Sequence, residues 1–477
     1  MNYSSIKEVR EQYGISQIKL AQHCGISPAV ISAWELNKST PSESQLTFVW
    51  KGLQELVYAI ENNGLNIKKK RIRQTKKSGG DLPKKISSAE EYYSLMADVA
   101  PTESEYAKRL SELYQHHTHK RSNTAPKAIS LFSGCGGLDL GFSAAGFNIV
   151  GHIELDEMAR TIYSANFKDS AMLGDDICEI TSEDINNWKS IYGQIDVLIG
   201  GPPCQGFSLA GKRDPNDLRN QLYQYYVKIV SEIKPKVFVM ENVRLLTSMK
   251  DSEGRLFIDQ IREAFENAGY TLSLNEVNAQ EYGVPQSRER IIIVGVRNDE
   301  DGNNFTFPMP THTEEDQSYQ LSFDTVDIET YRTFRDATSD LRMLESGEKS
   351  SDPLHWTIAH PQHVIDWLKD VPEGCSAHDN PDPNMRPTSG FNTTYKRIKW
   401  DEPCSTISTN FSMISGARNV HPTSTRSLTI REAARAQSFP DEFAFFGGWG
   451  DVRKVIGNAV PPMLAYVIAE AIKKQLF

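Results

Sequence analysis

The 477-residue chain carries 52 lysines and arginines against 62 acidic residues, a formal net charge of −10, which excludes a uniformly basic nucleic-acid coat but leaves room for a local basic patch. Its length exceeds the size at which one hydrophobic core stops growing, so two or three domains are expected. Cysteines at 24, 135, 178, 204, 375 and 404 form no C-x-x-C pair, which argues against a disulfide framework and a zinc site. With no apolar run approaching a membrane span and no signal-peptide pattern, the expectation is a cytoplasmic protein with free thiols, no metal and no membrane partner.

In chain order, Ser16–Cys24 has apolar residues at helical spacing, Gly25 supplies a turn, and Ser27 caps a helix whose first position is Pro28. Gln17, Leu20, Ala21, Gly25, Ser27, Ile31, Trp34-Glu35, Lys38 and Pro41 resemble the phage-repressor (Cro-like) helix-turn-helix family. That resemblance implies a second helix in the major groove, with Ser27, Ala29, Val30 and Ser32 as candidates for DNA contact. Such heads read paired half-sites, so residues 1–75 are expected to bind operator DNA as a dimer. A small helical docking module is the alternative, because the reading helix carries no Arg or Asn. The basic run Lys68–Lys77 suits phosphate or solvent equally, and residues 76–126 read as a linker with one helix from Ser88 to about His116.

From Lys127 strands and helices alternate, which predicts βαβ units around a parallel sheet. Strand Ala128–Phe132 runs into the glycine-rich turn Ser133-Gly134-Cys135-Gly136-Gly137, a helix starts at Leu138, and strand Asn148–Ile153 ends in Glu154. Glycines that let backbone approach a ligand, with an acid at the next strand tip, fit the ribose of a nucleoside-bearing cofactor. The glycine spacing is not the dinucleotide fingerprint and no Walker lysine follows, so NAD and nucleoside triphosphates rank lower.

Val197–Ile199 is a buried strand stopped by Gly200-Gly201-Pro202-Pro203, which projects the Cys204 thiol from the strand's carboxyl edge. A lone cysteine is more often a structural core residue; here its company points elsewhere. Pro235–Val243 is another strand carrying Glu241 near its end, on the same edge if the strands are parallel. Arg288 and Arg290, before strand Ile291–Gly295, fall on one face by strand alternation and suit an anionic backbone or a carboxylate.

Phe132-Ser-Gly-Cys-Gly-Gly137, Pro202-Pro-Cys-Gln205, Glu241-Asn-Val243, Gln286-x-Arg288-x-Arg290, Arg431–Pro440 and Gly457–Pro462 occur in this order, and together they resemble the DNA (cytosine-5) methyltransferases of bacterial restriction-modification systems. The resemblance covers about 127–297 and 426–477. It implies a Rossmann-like α/β core, a separate target-recognition domain at 298–425, and a C-terminal part, 426–477, that returns to the core.

Carbon 5 of cytosine is too electron-poor to take up a methyl group unaided, so a thiolate must first add to carbon 6. The resemblance assigns that role to Cys204, hydrogen bonding of ring nitrogen 3 and the exocyclic amine, which stabilises charge developing on the base, to Glu241, and grip on the flipped nucleotide and its phosphate to Arg288 and Arg290. Gln205, Gly206 and Ser208 would close over double-stranded DNA. S-Adenosylmethionine is the implied cofactor, with Phe132, Ser133, Gly136, Gly137, Leu138, Glu154, Asp176, Ile177, Leu222, Asn458 and Val460 as its contacts. Ser130 and Leu155 depart from the family, where Asp and an aromatic residue are common. The resemblance further implies protection of DNA from a cognate endonuclease and an autoregulatory head. A transfer-RNA methylase on the same core, or a transcription factor with an inactive methylase body, are the competing readings.

Overall fold

The computed structural model describes residues 3–13, 15, 17–24, 26, 28–35, 40–62, 85–119, 121–203, 222–251, 253–300, 304–314, 328–416 and 418–477. The chain divides into two compact units, Met1–Gly79 and Gly80–Phe477. The first contains α1 (Tyr3–Gln12), α2 (Gln17–His23), α3 (Pro28–Glu35) and α4 (Glu43–Asn62). Their core is Ile6, Leu20, Ile31, Trp34, Val49 and Leu53. Glu35 is spent internally: it accepts from Arg10 Nε at 3.0 Å and Gln17 Nε2 at 2.6 Å, locking α1 and the start of α2 onto α3. Val30 on α3 is exposed; Ala29 and Ser32 lie on the same helix, and Ser27 is outside the described residues.

The second unit opens with α5 (Ala89–Met96) and α6 (Glu105–Thr118) rather than the single helix expected. Pro101 lies between them and cannot continue a helix, while the Ser88 and Ser104 hydroxyls cap the two starts. Nor does this segment behave as a linker. Tyr92, Tyr106, Leu110 and Leu113 are buried, His117 Nδ1 lies 2.8 Å from Ser143 Oγ, and Ser111 Oγ donates to Glu442 at 2.6 Å.

The sheet is built from β1 (Lys127–Leu131), β2 (Asn148–Ile153), β3 (Ala171–Gly174), β4 (Val197–Gly200), β5 (Val237–Val243), β6 (Tyr270–Asn278) and β8 (Glu289–Arg297). Its order is β3-β2-β1-β4-β5-β8-β6, with β1 to β5 parallel and β8 antiparallel to both its neighbours. Order reverses between β1 and β4, which opens a crevice at their carboxyl ends. Alternation sorts the strands: Val197, Ile199, Val237 and Val239 face one layer, Leu198, Phe238 and Met240 the other. The first layer holds α7 (Gly137–Ala144) and α16 (Pro462–Leu476); the second holds α9 (Ser182–Tyr192), α10 (Leu222–Ile233) and α11 (Phe257–Asn267), while α8 (Glu157–Asn166) packs at the β2 side.

The remaining elements are β7 (Gln286–Ser287), β9 (His312–Thr313), β10 (Glu329–Thr330), α12 (Phe334–Thr338), α13 (Gln362–Leu368), β11 (Cys404–Ser405), α14 (Ile430–Ala436) and α15 (Trp449–Asn458). The stretch Trp449–Leu476, spanning α15 and α16, is apolar and long enough to cross a membrane, an amendment to the sequence expectation, but 67% of its apolar 18-residue window is buried inside the protein.

Every residue of α14 is buried. Arg431 Nε donates to Asp352 at 2.6 Å and Nη2 to the Tyr92 hydroxyl at 2.9 Å; Arg435 reaches Asp340 and Asp441, both at 2.6 Å; Arg426 grips Glu432 through two bonds of 2.7 and 2.8 Å. Burial pushes the Asp441 carboxyl up, yet Arg431 and Arg435 hold it down at about 2. Isolated charges would be too costly here, so the helix is stable only because each is paired. It thereby joins α5, the insert and the core into one unit.

Candidate active site

β4 and β5 run parallel with Gly200 beside Met240, so both chains leave the sheet on the same edge. The described chain reaches Pro203, one residue before Cys204; Cys204, Gln205, Gly206 and Ser208 lie outside the described residues. Glu241 projects at this edge, 13% exposed, and its Oε1 meets Arg290 Nε at 2.7 Å. Antiparallel pairing places Asn242 opposite Ile291 and Val243 opposite Arg290, so the arginine is delivered to the carboxylate by register. Gly201 makes room for the pair: a Cβ there would sit 2.9 Å from Glu241 Oε2.

Asn242, to which the sequence reading gave no role, donates through Nδ2 to the Pro202 carbonyl at 3.0 Å and is 4% exposed. It fastens the Pro202-Pro203 turn to the strand bearing Glu241. An Asn directly after a strand-terminal acid, opposite a proline turn whose carbonyls have no sheet partner, is the signal that could have found it.

Arg288 corrects the expectation that both arginines hold the nucleotide. It is 2% exposed, and its guanidinium donates to the carbonyls of Ile407 at 3.1 Å, Gly457 at 3.0 Å and Ala459 at 3.0 Å. Burial, then the proximity of Arg290, disfavours its charged form, with Glu241 acting in the opposite sense. It stands beside the Glu241–Arg290 pair but faces away into the protein. The physical reason is that Arg288 falls in the break between β7 and β8, where strand alternation does not fix direction.

On the other side of the crevice, β1 turns through Phe132 at φ 56° and Gly136 at φ 96° into α7. Gly137 lies against Val460: a Cβ would strike the Val460 carbonyl oxygen, so the C-terminal motif can close on the glycine turn. Leu138 and Val460 are buried, and Asn458 is exposed. Glu154 receives Gly134 N on Oε2 and Asp156 N on Oε1, each at 2.8 Å. Burial raises its pKa, with those two amides opposing the rise. Each oxygen keeps a lone pair for a hydroxyl donor. Asp176 caps the turn at Ile177–Glu179, Ile177 is buried, and Leu222 begins α10.

Two further observations bear on this cradle. The Ser133 hydroxyl is buried without a partner among the described residues, and Leu155 is 68% exposed where an apolar face would cover a planar ring. The first leaves a hydrogen-bonding group, and the second an apolar surface, for a ligand in this crevice. Beneath the turn, Asp139 faces Ser130, accepts the Tyr163 hydroxyl at 2.8 Å, and is pushed up to about 7 by burial.

Comparison with known proteins gives a consistent result. The family profile for C-5 cytosine-specific DNA methylases matches residues 126–474, and a helix-turn-helix profile matches 6–47. Among curated relatives, Type II methyltransferase M1.HphI of Haemophilus parahaemolyticus is 36% identical over 72% of this chain and 86% of its own. Type II methyltransferase M.NgoFVII of Neisseria gonorrhoeae is 37% identical over 74% and 87%. A solved prophage-encoded protein from E. coli, described as a DNA modification methyltransferase, aligns at TM-score 0.54 and 26% identity, covering 74% of this chain and 99% of that one.

Proposed function

The chain belongs to the C-5 cytosine-specific DNA methylases and is a DNA cytosine-5 methyltransferase with an N-terminal helix-turn-helix domain, and from that premise we propose how its residues divide the work. The observation that carries the reading is the Glu241–Arg290 pair, seated against Gly201 on the strand edge where the chain runs on to Cys204.

Cys204 is the nucleophile. Its thiolate adds to carbon 6 of a cytosine turned out of the duplex, at an unstacking cost of a few kcal/mol. Glu241 hydrogen-bonds ring nitrogen 3 and the exocyclic amine, stabilising charge that develops on the base. Arg290 orients that carboxyl and meets the nucleotide. S-Adenosylmethionine, the donor used by enzymes of this family, supplies an electrophilic methyl group when bound. Glu154 takes its ribose hydroxyls; Phe132, Ser133, Gly136, Gly137, Leu138, Asp176, Ile177, Leu222, Asn458 and Val460 form the rest of that site. Loss of the carbon 5 proton to water then expels Cys204.

The substrate is a short specific site in double-stranded DNA, modified in the cytoplasm and so protected from a cognate endonuclease. Gln205, Gly206 and Ser208 close over it. The exposed Phe391 and Met413 of the insert are available to the duplex. Residues 1–75 bind operator DNA as a dimer and regulate transcription, with Ser27, Ala29, Val30 and Ser32 facing the bases. Cys204→Ala is expected to abolish transfer of labelled methyl groups to DNA while the far-ultraviolet circular dichroism is unchanged; retained transfer would remove Cys204 from the mechanism. Footprinting with the full chain is expected to show a protected palindrome, and uniformly salt-sensitive binding without a footprint would contradict the regulatory role.

A further inference from the structure

Four chain segments meet in a buried polar node next to the Glu241–Arg290 pair. Gln286 Nε2 donates to Gln437 Oε1 at 2.6 Å and to the Ala436 carbonyl at 3.1 Å, while its Oε1 accepts Ile407 N at 2.8 Å. Gln437 Nε2 donates to the Ile456 carbonyl at 2.7 Å. Arg288 completes the node by holding Ile407 on one side and Gly457 and Ala459 on the other. Gln286, Arg288 and Gln437 are all essentially buried. Thr406 Oγ1 donates to the Ser287 carbonyl at 2.7 Å, and β11 pairs with β7 at Cys404–Gln286. Gly457 lies so close to Ser408 and Thr409 that a Cβ would strike their backbone.

We propose that Arg288 is a positioning residue that couples the two ligand sites. It ties the exit of the insert, residues 404–409, to the turn at 457–460 that closes on the glycine-rich loop. The proposal rests on the reading given above, in which the insert meets DNA and Asn458 and Val460 meet the cofactor.

The argument is one of satisfied groups. No spare acceptor lies within reach of the Arg288 guanidinium, whose Nε is without a partner among the described residues. If the 407 or the 457–459 backbone shifts alone, a buried cationic donor or a buried carbonyl is orphaned, which costs more than an ordinary hydrogen bond gains. The two segments therefore move together or not at all. Arg290, two residues along the same chain, holds Glu241, so a displacement of the node is also delivered to the catalytic carboxyl. Coupling of this kind is reciprocal: whatever orders one segment orders the other.

The test is hydrogen exchange on the full-length protein with and without S-adenosylhomocysteine. In the wild type, the analogue is expected to slow exchange at Ser133–Gly137 and, by about fivefold or more, at 404–409. In Arg288→Lys, which keeps the charge but cannot span three carbonyls, the first effect is expected to persist and the second to shrink, the Gln286–Gln437 link from Ile407 to Ile456 being what remains. A variant that merely loosens the fold would raise exchange in both ligation states and leave the analogue-dependent ratio intact. Equal analogue-dependent protection of 404–409 in wild type and variant overturns the proposal. So does protection at 133–137 with none at 404–409 in the wild type, a result that needs no variant. Protection at neither segment overturns the cofactor-site reading and the coupling with it.

Discussion

Replacing Gly201 with alanine tests the placement of the catalytic carboxyl with the smallest change available. The added Cβ would lie 2.9 Å from Glu241 Oε2, and ordinary contact begins near 3.4 Å, so the carboxylate must retreat by about 0.5 Å. Arg290 Nε pairs with the other oxygen, Oε1, at 2.7 Å, so the carboxylate has to shift or turn against that ion pair. A displacement of about 1 Å at a reacting centre costs roughly 10²-fold, so half of that corresponds to about tenfold, or ~1.4 kcal/mol in the barrier. Because the Cβ at Gly201 meets a side-chain tip first and the Glu241 carbonyl only at 3.5 Å, fold stability is expected to stay within about 1 kcal/mol of wild type. Single-turnover methylation, with thermal unfolding of the same samples, separates the two quantities. Wild-type turnover in Gly201→Ala would refute the claim that Glu241 needs this exact seat, as would a loss of rate matched by a loss of folded protein.

Three other outcomes follow from the same geometry. Asn242→Ala leaves the buried Pro202 carbonyl without its donor and is expected to lower thermal stability by about 1–3 kcal/mol and reduce the single-turnover rate, with affinity for S-adenosylhomocysteine unchanged; weaker analogue binding would count against a local effect. Glu154→Gln turns an NH2 toward one of the backbone amides it now accepts from, so calorimetry is expected to show analogue affinity reduced on the order of tenfold or more, and unchanged affinity would remove Glu154 from the ribose site. Burial lowers His421 from 6.5 to about 3, with Glu432 opposing and Arg426 assisting. Below pH 6.5 the unfolded chain takes up a proton that the folded one refuses, so stability present above that pH is lost as pH falls toward 3, by about 2 kcal/mol at pH 5. His152, His312 and His360 shift in the same sense, whereas Asp139, raised to about 7, favours the folded state as pH falls from 7 toward 3.8. Denaturant midpoints that do not fall between pH 7 and 5 would contradict this balance.

The central strands were legible because their apolar runs are uninterrupted: Asn148–Ile153 has the expected bounds, and Val197–Gly200 and Val237–Val243 differ from expectation by a residue or two at their ends. Glycine and proline signals likewise marked the turns at 133–137 and 200–203. Periodicity could not show where charged residues go. Arg431, Glu432 and Arg435 are charged residues that no apolar period marks as core, yet all are buried because Asp352 and Asp340, distant in sequence, and the nearby Asp441 and Arg426 neutralise them. Arg288 was misread for a related reason, since two-residue alternation holds only within a continuous ladder. The segment 85–119 looked like a linker because its partners, Ser143, Asn166, Arg431 and Glu442, lie far along the chain.

The most direct measurement is covalent capture. Incubation with S-adenosylmethionine and a substrate duplex carrying 5-fluorocytosine, which has no carbon 5 proton to lose, is expected to leave the protein joined to DNA, with mass spectrometry placing the adduct on Cys204. Methylation of ordinary DNA by the same preparation, with no stable adduct on the fluorinated duplex or with the adduct on another residue, would contradict the assignment.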